Sequence, residues 1–149
     1  MQLRFNDKTA LVTGADRNTG AIIAQQLAQS GARVIVHSNR DAASAADAAQ
    51  AQGCSDWVAG DIATEQGCGA VLQQLQDKSL HVDILVNNYG TASFAKWSTA
   101  TTADWLDMYQ KNVLSVARLV QGLVPGMRRN GWGRIVNLGT IGSHRPGKI

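Results

Sequence analysis

Cysteine is scarce in this chain: Cys54 and Cys68 are the only two among 149 residues, without CxxC spacing and with no histidine close in sequence. Neither a disulfide framework, a redox motif nor a metal site is indicated. Long apolar runs are missing too. No stretch approaches the roughly 20 apolar residues of a membrane helix, and Met1-Gln2-Leu3-Arg4-Phe5-Asn6-Asp7 lacks the apolar centre of a secretion signal. A cytoplasmic protein without membrane attachment is the expectation. Acid is absent after Asp107, where Arg118, Arg128, Arg129, Arg134, Arg145 and Lys148 follow. A basic end of this kind suits a phosphate-bearing ligand or a nucleic acid, but no aromatic interleaving or nucleic-acid motif accompanies it; the plainer reading is that acids expected further downstream are missing, and no nucleic-acid partner is expected. Internal repeats and linker-like segments are likewise missing, which leaves residues 1–149 as a single domain.

What is present is the composition of a globular protein with a core, 44% hydrophobic and 17% charged. Apolar runs with strand character alternate with segments of helical period. Strands are predicted at Thr9–Thr13, Arg33–His37, Asp56–Ala59, Val82–Asn87 and Arg134–Leu138. Helices are predicted at Thr19–Ser30, Asp41–Gln52, Thr64–Lys78 and, as one long element, Thr102–Arg129. Gly31, Gly53 and Asn130-Gly131 stand where helices should stop. Strands separated by helices pair in parallel through right-handed crossovers, so the fold class is α/β, a doubly wound Rossmann-type sheet, with order 3-2-1-4-5 by analogy.

The first strand leads into Thr13-Gly14-Ala15-Asp16-Arg17-Asn18-Thr19-Gly20 and then an alanine-rich helix. A strand, a glycine-bounded loop and a helix N-terminus form the arrangement whose backbone amides cradle a pyrophosphate. Asn18 stands where a third glycine is expected; asparagine tolerates positive φ better than most residues, so the loop can survive there. The competing reading is a tight turn with Thr19 as helix cap.

Further along, Asp61-Ile62 follows the third strand, Asn87-Asn88-Tyr89-Gly90 the fourth, Lys111-Asn112-Val113 lies in the long helix, and Gly133-Arg134-Ile135-Val136-Asn137-Leu138-Gly139-Thr140 closes the series. In this order the motifs resemble the short-chain dehydrogenase/reductase family, and in particular its 3-oxoacyl-(acyl carrier protein) reductase-like members, over essentially the whole chain. The resemblance implies an NAD(P)-dependent enzyme. It assigns Asp61 and Ile62 to the adenine, Asn88, Tyr89 and Gly90 to the motif bordering the cofactor, and Asn112 and Thr140 to catalysis, Thr140 replacing the family's serine. Thr140 keeps the hydroxyl but adds a methyl that restricts its rotamer; Ser143 is a nearby alternative that fits a turn better. Tyr89 replaces an alanine and places a large ring beside the cofactor, where it would narrow the nicotinamide side or turn elsewhere.

Cofactor contacts are expected from Gly14, Asp16, Arg17, Asn18, Thr19 and Gly20 and from Ser38, Asn39 and Arg40. His37-Ser38-Asn39-Arg40 has no acid to take a ribose diol, whereas Arg17 and Arg40 suit a 2′-phosphate, so NADP(H) is expected over NAD(H). Asp16 argues for NAD(H) if its carboxylate faces the ribose. Tyr109 is read as a core or interface residue, His37 and His81 as strand-edge residues, and His144 as a loop residue.

The family's YxxxK motif, which supplies the proton donor and its lysine, lies about a dozen residues beyond its serine position and is not found here. The leading expectation is therefore the N-terminal portion of a longer NADP(H)-dependent carbonyl reductase or alcohol dehydrogenase, forming a homodimer or homotetramer, with this chain alone inactive. A non-catalytic dinucleotide-binding or partner-dependent fragment is the alternative, and a nucleic-acid surface the third. Ile135, Val136 and Leu138 would lie on a bare sheet edge.

Overall fold

The computed structural model describes residues 4–93 and 95–140. Five parallel strands, β1 (Thr9–Val12), β2 (Arg33–Ser38), β3 (Asp56–Ala59), β4 (Ile84–Asn87) and β5 (Arg134–Asn137), form one sheet in the order β3-β2-β1-β4-β5. The expected doubly wound order is thus the observed one. Pleating sends alternate side chains to opposite faces, and two cores result. On one face Leu11, Ile35, Val58 and Leu85 pack with Val71, Leu75, Leu119 and Met127; on the other Ala10, Val12, Val34, Val36, Ile84 and Val86 pack with Ala24 and Ala49. Each large aliphatic side chain so buried contributes about 1.5–3 kcal/mol.

The helices follow the same division. α1 (Asn18–Gln29) and α2 (Ala42–Ala51) supply Ala24 and Ala49, while α3 (Glu65–Asp77) supplies Val71 and Leu75. Gly31, Gly53 and Gly131 carry the positive φ of helix stops, +92°, +70° and +66°.

The expected long helix is not continuous. It divides into α4 (Thr102–Tyr109), a π turn at Gln110–Leu114 and α5 (Ser115–Arg129), which supplies Leu119 and Met127 to the core. A π turn inserts one residue into helical phase and often marks a functional position; hydrophobic period alone does not register a single added residue. Arg118 of the basic end donates to Ala63 O at 3.0 Å and to Gln110 Oε1 at 2.6 Å. Arg134 and Lys8 flank the Trp132 ring, 4.8 and 4.5 Å from its centroid.

β5 is an edge strand, exposed throughout, and Ile135, Val136 and Leu138 are 39%, 48% and 39% accessible. Among the described residues no helix is long and apolar enough to cross a membrane, and no cluster of His, Cys, Asp or Glu has the makings of a metal site.

Candidate functional site

A groove of about 550 Å3 runs along the C-terminal ends of β1, β2 and β4. The sheet order reverses between β1 and β4, and crevices at such a switch point are the usual ligand positions of open α/β sheets. The lining brings together Gly14, Asp16, Arg17, Asn18, Thr19, Gly20, Asn39, Arg40, Asn88, Tyr89 and Gly90, with Thr91 and Lys111 added.

The loop after β1 is shaped by two residues of positive φ, Gly14 at +59° and Asn18 at +49°. Asparagine does adopt the left-handed conformation here, as its local hydrogen-bonding side chain permits. Gly20 is required for another reason: a Cβ there would lie 2.2 Å from Gly14 O and 2.6 Å from Asn88 Nδ2, so helix and loop can approach only without a side chain. Arg17, not Thr19, is the N-cap of α1, and it makes no side-chain capping bond. By contrast Asp41, Thr64 and Thr101 cap α2, α3 and α4. The opening amides of α1 therefore have no side-chain oxygen in attendance and, with the helix dipole, favour an anion.

The floor is stitched by side chains. Thr13 Oγ1 accepts from the amides of Asn88 and Tyr89 at 3.0 and 2.9 Å, and Asn88 Nδ2 donates to Thr13 O and Gly14 O at 2.8 and 3.2 Å. Asn39 Nδ2 donates to Asp61 Oδ1 at 2.8 Å and Tyr89 Oη at 3.3 Å, while its Oδ1 accepts from the Ile62 amide at 2.9 Å. Tyr89 thus turns across the groove toward β2 and packs its half-buried ring on the core of Leu11 and Ile62. Burial pushes its hydroxyl pKa up, with the nearby charges of Asp61 and Asp107 adding to the shift.

The Asp16 carboxylate faces two guanidiniums. Its Oδ2 accepts from Arg40 Nε and Nη2 at 3.0 and 2.8 Å and from Arg17 Nε and Nη2 at 3.3 and 3.1 Å. The acid is nearly enclosed, whereas both arginine side chains stay about half exposed, 54% and 53%. Asp16 thereby gathers two cations at one corner of the groove with donor edges left for an anion.

Five of the expected site residues are not in the lining. Ser38 is buried under the β2–α2 turn, its Oγ accepting from the Arg40 amide at 3.2 Å. Ile62 is 1% exposed and its side chain belongs to the core; Asp61 meets the site through Asn39. Asn112 sits in the π turn, where Oδ1 accepts from the Thr91 amide and Nδ2 donates to Met108 O, both at 2.9 Å. Gly90 leaves it room, since a Cβ there would lie 2.8 Å from Asn112 Oδ1. Thr140 is exposed, three residues past β5 at the same end of the sheet. Ser143 and His144 lie outside the described residues.

The reading of His37 as a strand-edge residue is corrected: it is fully buried, hydrogen-bonded at both ring nitrogens, and burial lowers its pKa to about 4. β2 is flanked by β1 and β3, and an interior strand has no edge to offer. His81 is exposed, with Nε2 2.7 Å from Asn130 Nδ2 and 3.4 Å from Asp83 Oδ1. Tyr109 is 51% exposed rather than core. Thr91 joins the lining without a sequence signal, and Lys111, the first residue of the Lys111-Asn112-Val113 motif, joins it while pairing with Asp107 four residues earlier at 2.7 Å.

A parallel sheet with its switch-point groove, glycine loop and uncapped helix defines a dinucleotide-binding architecture, and the chain belongs to the short chain dehydrogenase family, which it matches over residues 8–148. It is 37% identical to the rhamnolipids biosynthesis 3-oxoacyl-[acyl-carrier-protein] reductase of Pseudomonas aeruginosa, over 90% of this chain and 55% of that protein. A Vibrio cholerae 3-oxoacyl-[acyl-carrier-protein] reductase is 33% identical over 93% of this chain and 57% of its own length. Among solved structures, L-sorbose reductase from Gluconobacter frateurii complexed with NADPH and L-sorbose superimposes with a TM-score of 0.91 at 32% identity, covering 99% of this chain and 57% of that one. The RhlG/NADP active-site complex of Pseudomonas aeruginosa gives 0.89 at 33%, covering 99% and 60%. The chain spans about half the length of the curated relatives it matches.

Proposed function

We propose that this chain binds NADP(H) in the switch-point groove and supplies the cofactor side of an oxidoreductase acting on a small carbonyl or alcohol substrate. The observation that carries the reading is the pairing of Arg17 and Arg40 about Asp16, at the end of a β2 strand that offers no acid of its own. An acid at that position would hold a ribose diol and repel a 2′-phosphate; two half-exposed guanidiniums do the reverse. The loop from Gly14 to Gly20 and the uncapped start of α1 suit the pyrophosphate. Asn88, Tyr89 and Gly90 border the middle of the groove and Asn39, through Asp61 and Ile62, its nucleobase end.

The bound cofactor supplies hydride chemistry; the chain must orient the carbonyl and handle its proton. Thr140 is assigned the hydrogen bond to the substrate oxygen, and Asn112 the ordering of the loop after β4 through the Thr91 amide. Neither Tyr89 nor Tyr109 is followed by lysine four residues on, so neither stands in a YxxxK motif. Solved relatives whose names include NADPH or NADP support the choice of cofactor. A cytoplasmic setting and a homodimer or homotetramer accompany this reading. The exposed apolar β5 favours a second one, a dinucleotide-binding chain dependent on a partner for any turnover.

The test is a binding titration of NADPH and NADH against wild type, Arg17→Ala and Arg40→Ala. Each substitution is expected to weaken NADPH about tenfold, since a charge-assisted contact contributes about 1.5–3 kcal/mol and 1.4 kcal/mol is tenfold, while NADH changes by less than about twofold. Equal losses for both dinucleotides would refute the phosphate assignment.

A further inference from the structure

His37 lies outside the groove lining but touches two of the loops that build it. The Gly14 amide donates to Nδ1 at 3.1 Å, and Nε2 lies 3.0 Å from Gly60 O. The partners dictate the proton: an amide can only donate, so Nδ1 must be bare, and a carbonyl can only accept, so Nε2 must carry the hydrogen. Imidazolium would set two protons against each other at Gly14, and the other tautomer would orphan both contacts. The backbone repeats the pattern, because His37 O accepts from the Ala15 amide at 2.9 Å and Ser38 O from the Gly60 amide at 3.0 Å. The end of β2 therefore anchors the loop after β1 and the loop after β3, and the imidazole is the side-chain link between them.

Gly14 is the residue whose φ of +59° starts the turn toward α1. With its N–H directed at a fully buried ring, the Gly14 peptide plane is fixed, and with it the starting direction of the loop through Asp16, Arg17 and Asn18. Gly60 precedes Asp61 and Ile62, which meet Asn39 on the other side of the groove. An apolar residue at 37 would leave a buried N–H and a buried C=O unpaired, each at a cost that local opening relieves.

We propose that His37, as the neutral Nε2–H tautomer, is a positioning residue for the dinucleotide: it holds Gly14 and Gly60 at a fixed separation and so presets the phosphate loop and the nucleobase end of the groove. This rests on the dinucleotide reading above. Burial keeps the ring neutral, its pKa lowered to about 4 against the opposing pull of Gly60 O, Asp16 and Asp61.

The full chain is tested as wild type, His37→Leu, His37→Asn and His37→Gln. Asparagine places an oxygen near the Nδ1 position and keeps the Gly14 bond, glutamine reaches toward Gly60, and leucine keeps only volume. NADPH affinity, measured by fluorescence on samples whose circular dichroism matches wild type, is expected to fall at least about tenfold in His37→Leu and to stay within about threefold in His37→Asn, consistent with one buried unpaired donor. A merely structural role would lower the melting temperature without this rescue. Should His37→Leu fail to fold, the asparagine and glutamine variants decide, with asparagine expected to bind tighter. Long-range 15N–1H spectra of the unliganded chain at pH 7 should show the Nε2–H tautomer; an imidazolium or the Nδ1–H form would overturn the proposal. His37→Leu binding within about twofold of wild type would overturn it alone, whereas wild type failing to bind NADPH would overturn the dinucleotide reading and the assignment with it.

Discussion

Tyr89 illustrates how much one side chain's direction matters. In place of a methyl group it carries a ring whose hydroxyl reaches Asn39 and which packs against the core cluster that includes Leu11 and Ile62, so it both lines the groove and extends the core. Tyr89→Phe removes only a 3.3 Å hydrogen bond and should cost under about 1 kcal/mol, whereas Tyr89→Ala opens space against the core and should cost about 2 kcal/mol by denaturant unfolding. His37 yields a pH prediction at the same scale. Its native pKa, lowered to about 4, lies below the value of about 6.5 expected in the unfolded chain. Between those limits the unfolded state binds the extra proton, so stability rises with pH; the contribution is complete above about pH 6.5 and lost as pH falls toward 4. His37 should account for about 2 kcal/mol of the stability lost between pH 7 and 4.5, so a chain with His37→Asn should lose correspondingly less in urea melts at those two pH values.

The helices show where local chemistry suffices and where it does not. α4 begins at a capping box in which the Asp104 amide donates to Thr101 Oγ1 at 3.2 Å and Thr101 N donates to Asp104 Oδ2 at 2.8 Å, a signal carried by four consecutive residues. The π turn after it has no such signature. It sets Asn112 where the Thr91 amide can reach it, beside Gly90, where a Cβ would press on Asn112 Oδ1 and displace it. Asn112→Ala should free the Thr91 amide, raising its hydrogen exchange about tenfold while Leu85 and Val86 in β4 keep their protection. Unchanged exchange at Thr91 would show that the loop holds without this contact.

At the scale of the molecule the sheet has two edge strands, β3 and β5, and among the described residues β5 presents Ile135, Val136 and Leu138 to solvent. An apolar edge of this kind pairs with whatever strand it meets. Ile135→Lys should reduce concentration-dependent light scattering without altering NADPH binding, because the groove lies at β1, β2 and β4; a scattering profile equal to wild type would locate self-association elsewhere.

Strand and helix order, the parallel sheet, the glycine loop and the positive φ of Asn18 were determined by the sequence, because each depends on short-range period, steric freedom and chain punctuation. The arginine pair was legible as composition at the right distance from two strands. Tertiary structure alone decided that Asp16 would face both arginines, that Tyr89 would turn toward Asn39, that Ser38 and Ile62 would be buried away from the groove, and that His37 would lie inside the sheet as a link between loops. These outcomes rest on contacts between residues far apart in the chain, such as Gly14 with His37 and His37 with Gly60, whose geometry exists only once β2 is enclosed between β1 and β3.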